Sequence, residues 1–209
     1  MAELATKRTT ILLLLLFLIP AFFLSSCLDL ETGIRLKKDG SADASLTYIF
    51  NSDTVDFGRD FGSDEPWAFP LTEKDFIQQS LRVPGVELKR YRVHTTSGGS
   101  EEINVRLKAD SIESLSSYLG LSITVQYHDR GGTMLFSMPS VDNYNRADTQ
   151  FRDNTEKIIG DSSFRFSFRP PVSPKESQPG SISGNSAVLE LSLIDILRGE
   201  NPETWIVSW

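Results

Sequence analysis

Alternation of apolar and polar residues with a period of two recurs along most of this 209-residue chain and constrains its fold more than any other feature. Such alternation is typical of strands with one face on a core and the other in water. The segments that show it begin at Leu30, Ala42, Tyr91, Ile103, Ile123, Met134, Phe164, Leu189 and Trp205. Turn residues separate neighbouring segments, so the sequence predicts antiparallel hairpins.

The first two strands determine the loop between them. With a two-residue turn at Asp39-Gly40, their apolar residues would fall on opposite faces. A three-residue loop from Lys38 to Gly40 instead sets Leu36 opposite Ala42. We therefore predict that loop, with Gly40 in the left-handed conformation.

A helix is predicted after residue 71. Thr72 and Asp75 have the spacing of a capping box, and Pro84-Gly85 ends the pattern. We expect this helix to pack through Phe76, Ile77 and Leu81.

Two further helices are predicted. Asp110 and Glu113 start one that ends at Gly120, and another covers about residues 148–159. Residues 170–186 are rich in proline, serine and glycine and are expected to form a mobile surface loop. The predicted fold is α+β, with antiparallel β-hairpins and two or three helices packed on the sheet in a single domain.

The N-terminal segment has the pattern of an export signal. Lys7 and Arg8 precede an apolar run over residues 11–24, interrupted only by Pro20. A transmembrane anchor needs about 20 apolar residues, and this run is shorter. A lipoprotein signal is the favoured interpretation; a plain secretory signal and an uncleaved anchor are the alternatives.

The only cysteine of the chain marks the cleavage site. Leu24, Ser25 and Ser26 precede Cys27, and small residues in front of a cysteine are what a lipoprotein signal requires. The Cys27 sulfur would take a diacylglycerol thioether, which leaves residues 1–26 as signal peptide and 27–209 as the mature domain. No intramolecular disulfide can form, so burial alone must hold the fold. We expect a bacterial cell-envelope protein, lipid-anchored to a membrane and facing outside the cytoplasm.

Charge excludes one class of partner. The chain has 21 basic and 28 acidic residues, a net charge of −7. Removal of residues 1–26 takes away Lys7, Arg8 and Glu3 and leaves about −8. We expect no basic patch and no binding of nucleic acid, which needs lysine and arginine to replace counterions at phosphates. The membrane, through the lipid on Cys27, is the expected partner; a protein partner is not identified.

The lipidation site at Cys27, the strand pair around Lys38-Asp39-Gly40, the alternating hairpins and helices and the ending at residues 199–209 resemble the LppM-like family of bacterial lipoproteins. The resemblance covers roughly residues 27–209. It implies an α+β domain on a lipid anchor, with an apolar pocket for a lipid or glycolipid. The chain departs from family members that end in a transmembrane helix.

Side chains for catalysis are sparse. His94 and His128 are the only histidines, and each falls in a predicted strand or at its end. A metal site would need carboxylates from elsewhere in the chain. The sequence predicts no catalytic residue, no metal and no cofactor, and hence no enzyme.

Four aromatic residues stand in a loop without strand or helix period: Phe57, Phe61, Trp67 and Phe69. They would plug the core, form a lid over an apolar cavity or form a partner surface. For Trp205 and Trp209, core packing is favoured. The sequence therefore predicts a non-catalytic envelope lipoprotein that binds a lipid or other apolar ligand; the alternative is a structural or partner-binding lipoprotein with no small-molecule ligand.

Overall fold

The computed structural model describes residues 28–50, 70–96, 99–129, 131–138 and 148–209. The strands of these parts are β1 (Leu28–Leu36), β2 (Ala42–Phe50), β3 (Val86–Thr95), β4 (Glu101–Ala109), β5 (Ser122–His128), β6 (Gly131–Ser137), β7 (Ser163–Arg169), β8 (Glu176–Gln178), β9 (Ser181–Ser183), β10 (Ser186–Ser192) and β11 (Thr204–Ser208). Their helices are α1 (Glu73–Arg82), α2 (Ile112–Leu119), α3 (Thr149–Ile159) and α4 (Leu193–Arg198).

The strands form two sheets. Sheet A has the order β3-β4-β2-β1-β7-β10-β9, and sheet B has the order β5-β6-β11-β8. The α+β class with a majority of strands is confirmed, but the described parts contain four helices and two sheets. One pair, β1 with β7, is parallel. Period-two patterning shows which face of a strand is buried but not which distant strand lies beside it.

The predicted first hairpin is confirmed. Leu36 lies opposite Ala42, and Ile34 lies opposite Ala44. Gly40 has a φ of +85°, the left-handed region that a residue with a Cβ rarely adopts. The apolar stripes of both strands therefore face the same core.

The capping box of α1 is also confirmed, but its packing differs from the prediction. The Thr72 hydroxyl accepts from the Asp75 backbone N–H at 3.2 Å, and the Asp75 carboxylate accepts from the Thr72 N–H at 3.0 Å. Phe76 is buried, whereas Ile77 and Leu81 are 47% and 80% exposed. Because α1 lies over the edge strand β3 and not over the centre of sheet A, only a narrow stripe of it meets the core.

The other helices differ in detail from their predicted forms. Ser111, not Asp110, caps α2, with its hydroxyl accepting from the Ser114 N–H at 3.1 Å. The helix predicted over 148–159 is confirmed as α3. The strand alternation predicted through Leu193 ends at Ser192, and helix α4 begins at Leu193. Helix α4 ends before Gly199, which has a φ of +72°. A short run of apolar residues fits both the period of a strand and the period of a helix, so the sequence did not distinguish the two structures there.

The predicted loop over 170–186 contains two short strands. β8 pairs with β11 in sheet B, and β9 pairs with β10 in sheet A. The expectation that the whole segment is a surface loop is wrong, because it contributes an edge strand to each sheet.

Aromatic side chains fill the space between the sheets. Phe166 of β7 stacks on Phe136 of β6, with ring centroids 4.7 Å apart, and meets Trp205 of β11 edge-on at 5.4 Å. Phe168 packs against Trp209 at 5.7 Å. The predicted core positions of Trp205 and Trp209 are confirmed, and the two sheets share one hydrophobic cluster. None of the described helices is both long and apolar enough to cross a bilayer.

Candidate functional site

All eight residues predicted to form a site lie outside the described residues. This holds for the cleavage site and lipidation site (Leu24, Ser25, Ser26 and Cys27) and for the aromatic residues (Phe57, Phe61, Trp67 and Phe69). The described fold nevertheless contains the residues next to both segments. Leu28 follows Cys27, and Phe50, which precedes the aromatic segment by a few residues, lies opposite Leu28.

The backbone of Leu28 is hydrogen-bonded at the start of β1. Its backbone N–H donates to the Ser162 hydroxyl at 3.1 Å, and Ser162 is 2% exposed. The Ser162 carbonyl accepts from the Leu193 N–H at 3.0 Å, which brings the start of α4 to the same place. Asp29 accepts from the backbone and the hydroxyl of Ser163 at 3.2 and 2.8 Å. The residue after Cys27 is thus part of the folded sheet.

Helix α4 gives this end of the molecule an apolar character. Ile196 is buried, and its partly buried neighbours are Phe164, Leu191, Leu193, Ile194 and Leu197. The Arg198 guanidinium donates to the Glu156 carboxylate at 2.7 and 3.2 Å, which joins α4 to α3. We call this region, comprising Leu28, Ser162 and α4, the anchor end.

A second feature lies on the outer face of sheet A, on strands β3 and β4. Arg90 lies directly opposite Arg106, and Arg92, two residues along β3, lies on the same face. All three side chains are exposed, while the neighbours of Arg106 on β4, Val105 and Leu107, are buried. No carboxylate of the described residues forms an ion pair with these guanidiniums. We call the three residues the arginine cluster.

The arginine cluster corrects the expectation of no basic patch. The net charge describes the chain as a whole, whereas strand pairing can bring residues that are apart in sequence together on one face of a sheet. The predicted hairpin pairs residues 91–95 with 103–107, so the grouping of the arginines could have been predicted from it. In it the arginines at 90, 92 and 106 share the face opposite to Tyr91 and Val105.

Acidic residues lie at the borders of the arginine cluster. Glu87 pairs with Lys89, and Glu102 accepts from the Asn104 amide at 2.7 Å. Asp43 pairs with Lys37 at 2.7 Å. These three carboxylates thus have other partners.

The two histidines stand apart. His94 is exposed on β3 in sheet A, and His128 ends β5 in sheet B, with its Nε2 3.4 Å from the Thr133 hydroxyl. Within the described ranges, no three His, Cys, Asp or Glu residues are grouped so that they could hold a metal ion.

No family model matches the chain, and no curated protein matches it in sequence. A search of solved structures found a likeness to the folded domain of LppM from Mycobacterium tuberculosis, determined by NMR. The likeness has a TM-score of 0.44 and 12% sequence identity, and it covers 89% of this chain and 91% of that chain. It is a distant structural relationship.

Proposed function

We propose that this chain is a non-catalytic envelope lipoprotein, anchored to a membrane through lipid on Cys27, whose folded part acts as an interaction module at the membrane surface. The observation that carries the proposal is the position of Leu28. It is both the first residue after the predicted lipidation site and a hydrogen-bonded residue of β1.

The short connection limits where the fold can lie. Neighbouring Cα atoms are about 3.8 Å apart across a trans peptide, so a lipid on Cys27 would hold the anchor end against the membrane. The apolar side chains of α4 suit that position, because partly exposed leucine and isoleucine gain by leaving water at an interface. A lipoprotein built in this way works close to its own membrane.

The described structure supports binding of a partner at the protein surface more than enclosure of a ligand in a cavity. The packed rings of Phe136, Phe166 and Trp205 occupy the space between the sheets, and the arginine cluster lies outside. We therefore favour a protein partner over a small apolar ligand. A non-catalytic role is supported by the separation of His94 and His128 on different sheets.

The lipid anchor is tested by Cys27→Ser in the full chain, expressed in a bacterium that processes lipoproteins. The unchanged protein should be recovered in membranes, with the mass of residues 27–209 plus acyl chains. The variant should remain an unprocessed precursor that takes up no labelled fatty acid. Ser26→Ala is the matched control, because it keeps a small residue beside the cleaved bond. Fatty-acid labelling of the Cys27→Ser variant would refute the anchor.

A role in binding an apolar ligand is the second candidate. It is favoured by Ile77 and Leu81, which are exposed one turn apart on α1, since contiguous exposed apolar surface is typical of binding sites. Native mass spectrometry of the processed protein, followed by organic extraction, separates the two candidates. A stoichiometric lipid other than the one on Cys27 would favour the ligand role, and its absence would favour the interaction module.

A further inference from the structure

The edge of sheet A at β3 is open in the described part of the molecule. β3 stands at the end of the strand order, and its only described strand partner is β4. From Arg90 to Thr95 its pairing with β4 runs in regular register, after an irregularity at Lys89. An edge strand leaves every second backbone N–H and C=O without a sheet partner, which another extended chain can use.

The side chains along this edge alternate in character. Arg90 and Arg92 point to the outer face, where Arg106 adds a third positive charge. Tyr91 and Val93 point to the core face, and Val93 is 49% exposed although it lies opposite the buried Ile103. The edge is thus basic on its outer face. On its core face Tyr91 and Val93 are apolar; burial raises the pKa of Tyr91, and the carboxylates of Glu73, Asp75 and Glu101 lie close enough to raise it further.

We propose that β3, from Arg90 to Thr95, binds an extended acidic segment of a partner protein as an added strand. The proposal rests on the proposed role as an interaction module and names the chemistry of the partner. Residues at alternate positions of the added strand would face Arg90 and Arg92, and carboxylates there would pair with guanidiniums. Apolar residues between them would cover Val93 and the exposed part of Tyr91.

Charge selects this partner among the candidates for the edge. Like charges directly opposite each other on neighbouring strands are unfavourable, so a carboxylate bound beside Arg90 and Arg106 would relieve their repulsion. A second copy of β3 would bring further arginines to the same face and is disfavoured. A phosphate-bearing surface could neutralise the arginines but would leave the backbone edge and Val93 unused.

The test uses the full processed protein in detergent micelles and a synthetic peptide, acetyl-Val-Glu-Val-Glu-Val-Glu-Val-amide. We expect the peptide to protect backbone amides of residues 90–95 from hydrogen exchange. Arg90→Glu combined with Arg92→Glu should weaken its affinity by at least about tenfold. The same double variant should gain affinity for the peptide with lysine in place of glutamate, a gain that also shows the variant to be folded. Lys38→Glu combined with Arg82→Glu is the matched control, since it makes the same change in net charge on exposed residues elsewhere.

Three outcomes would overturn the inference. The first is equal binding of the acidic peptide by the charge-reversed and the unchanged protein. The second is protection that lies outside β3. The third is binding that depends on the arginines without protection of residues 90–95, which would indicate a plain anion site. The mass of the same sample reports on Cys27, so peptide binding by an unlipidated protein would refute the anchor and leave the edge site standing.

Discussion

The backbone of Gly132 lies against the ring of Trp209. The Gly132 N–H donates to the Trp209 carbonyl at 3.1 Å, and the Trp209 N–H donates to the Gly132 carbonyl at 3.0 Å. A Cβ on Gly132 would lie 2.5 Å from the indole ring, closer than van der Waals contact permits. Gly132 thus has a packing role that depends on a residue 77 positions further along the chain.

Gly132→Ala is therefore expected to lower the free energy of unfolding by about 1–3 kcal/mol, the usual range for overpacking. Denaturant unfolding of the two proteins measures the difference. Combining it with Trp209→Leu should recover part of the loss, because the smaller side chain leaves room for the methyl group. If the two changes were simply additive, the contact would not be the cause.

Among the elements, α1 is the one whose start the sequence predicted best. A capping box is local, since Thr72 and Asp75 need only each other and the helix backbone. Burial raises the pKa of the Asp75 carboxyl, but hydrogen bonds from Thr72 and from the backbone of Leu71 outweigh it, so the pKa lies below the ordinary value of 3.8. The folded state therefore favours the ionised form.

Asp75→Asn should lower the free energy of unfolding at pH 7 by about 0.5–1 kcal/mol, as loss of a cap contact does. Because the folded pKa is depressed, this contribution is present above pH 3.8 and is lost as the pH falls through the folded pKa. Unfolding curves at pH 7 and at pH 3 measure the change. Glu73→Gln, in the same helical turn, is the control; an equal loss in both variants would show that charge near the helix start matters and the capping box does not.

Elements that depend on distant residues were predicted less well. The hairpins followed from period two and turn residues, and Leu36 opposite Ala42 was correct in register. Two pairings could not be predicted in this way: β1 with β7, and β8 with β11 in sheet B. Both depend on contacts between segments that are far apart in sequence. The arginine cluster was predictable in part. The register of its hairpin followed from the sequence, but the net charge of the whole chain did not indicate a local group of positive charges.

For the whole molecule, Phe166 is one of the residues that join the two sheets. It is fully buried, belongs to sheet A and contacts Phe136 and Trp205 of sheet B. Aromatic pairs of this kind contribute about 0.5–1.5 kcal/mol each beyond the area they bury. The sheets should therefore unfold together.

Phe166→Ala is expected to lower the free energy of unfolding by about 3–5 kcal/mol, the cost of removing a buried aromatic ring. Tryptophan fluorescence, which includes Trp205 in sheet B, and far-ultraviolet circular dichroism should still give one common midpoint, shifted to lower denaturant. Val93→Ala, at an exposed site, should leave that midpoint nearly unchanged. Separate midpoints for the two signals in the unchanged protein would show that the sheets are independent.

The central place of β1 in sheet A bears on the order in which the fold forms. β1 is the first strand of the described residues, yet it pairs with β7, and its Leu28 N–H donates to the Ser162 hydroxyl, 134 residues further along. Closing so long a loop is slow compared with forming a local hairpin. Sheet A therefore cannot be completed until β7 and β10, which lie more than 130 residues beyond the start of β1, are available to pair. Its topology makes closure of the sheet one of the last steps of folding, after the local hairpins have formed.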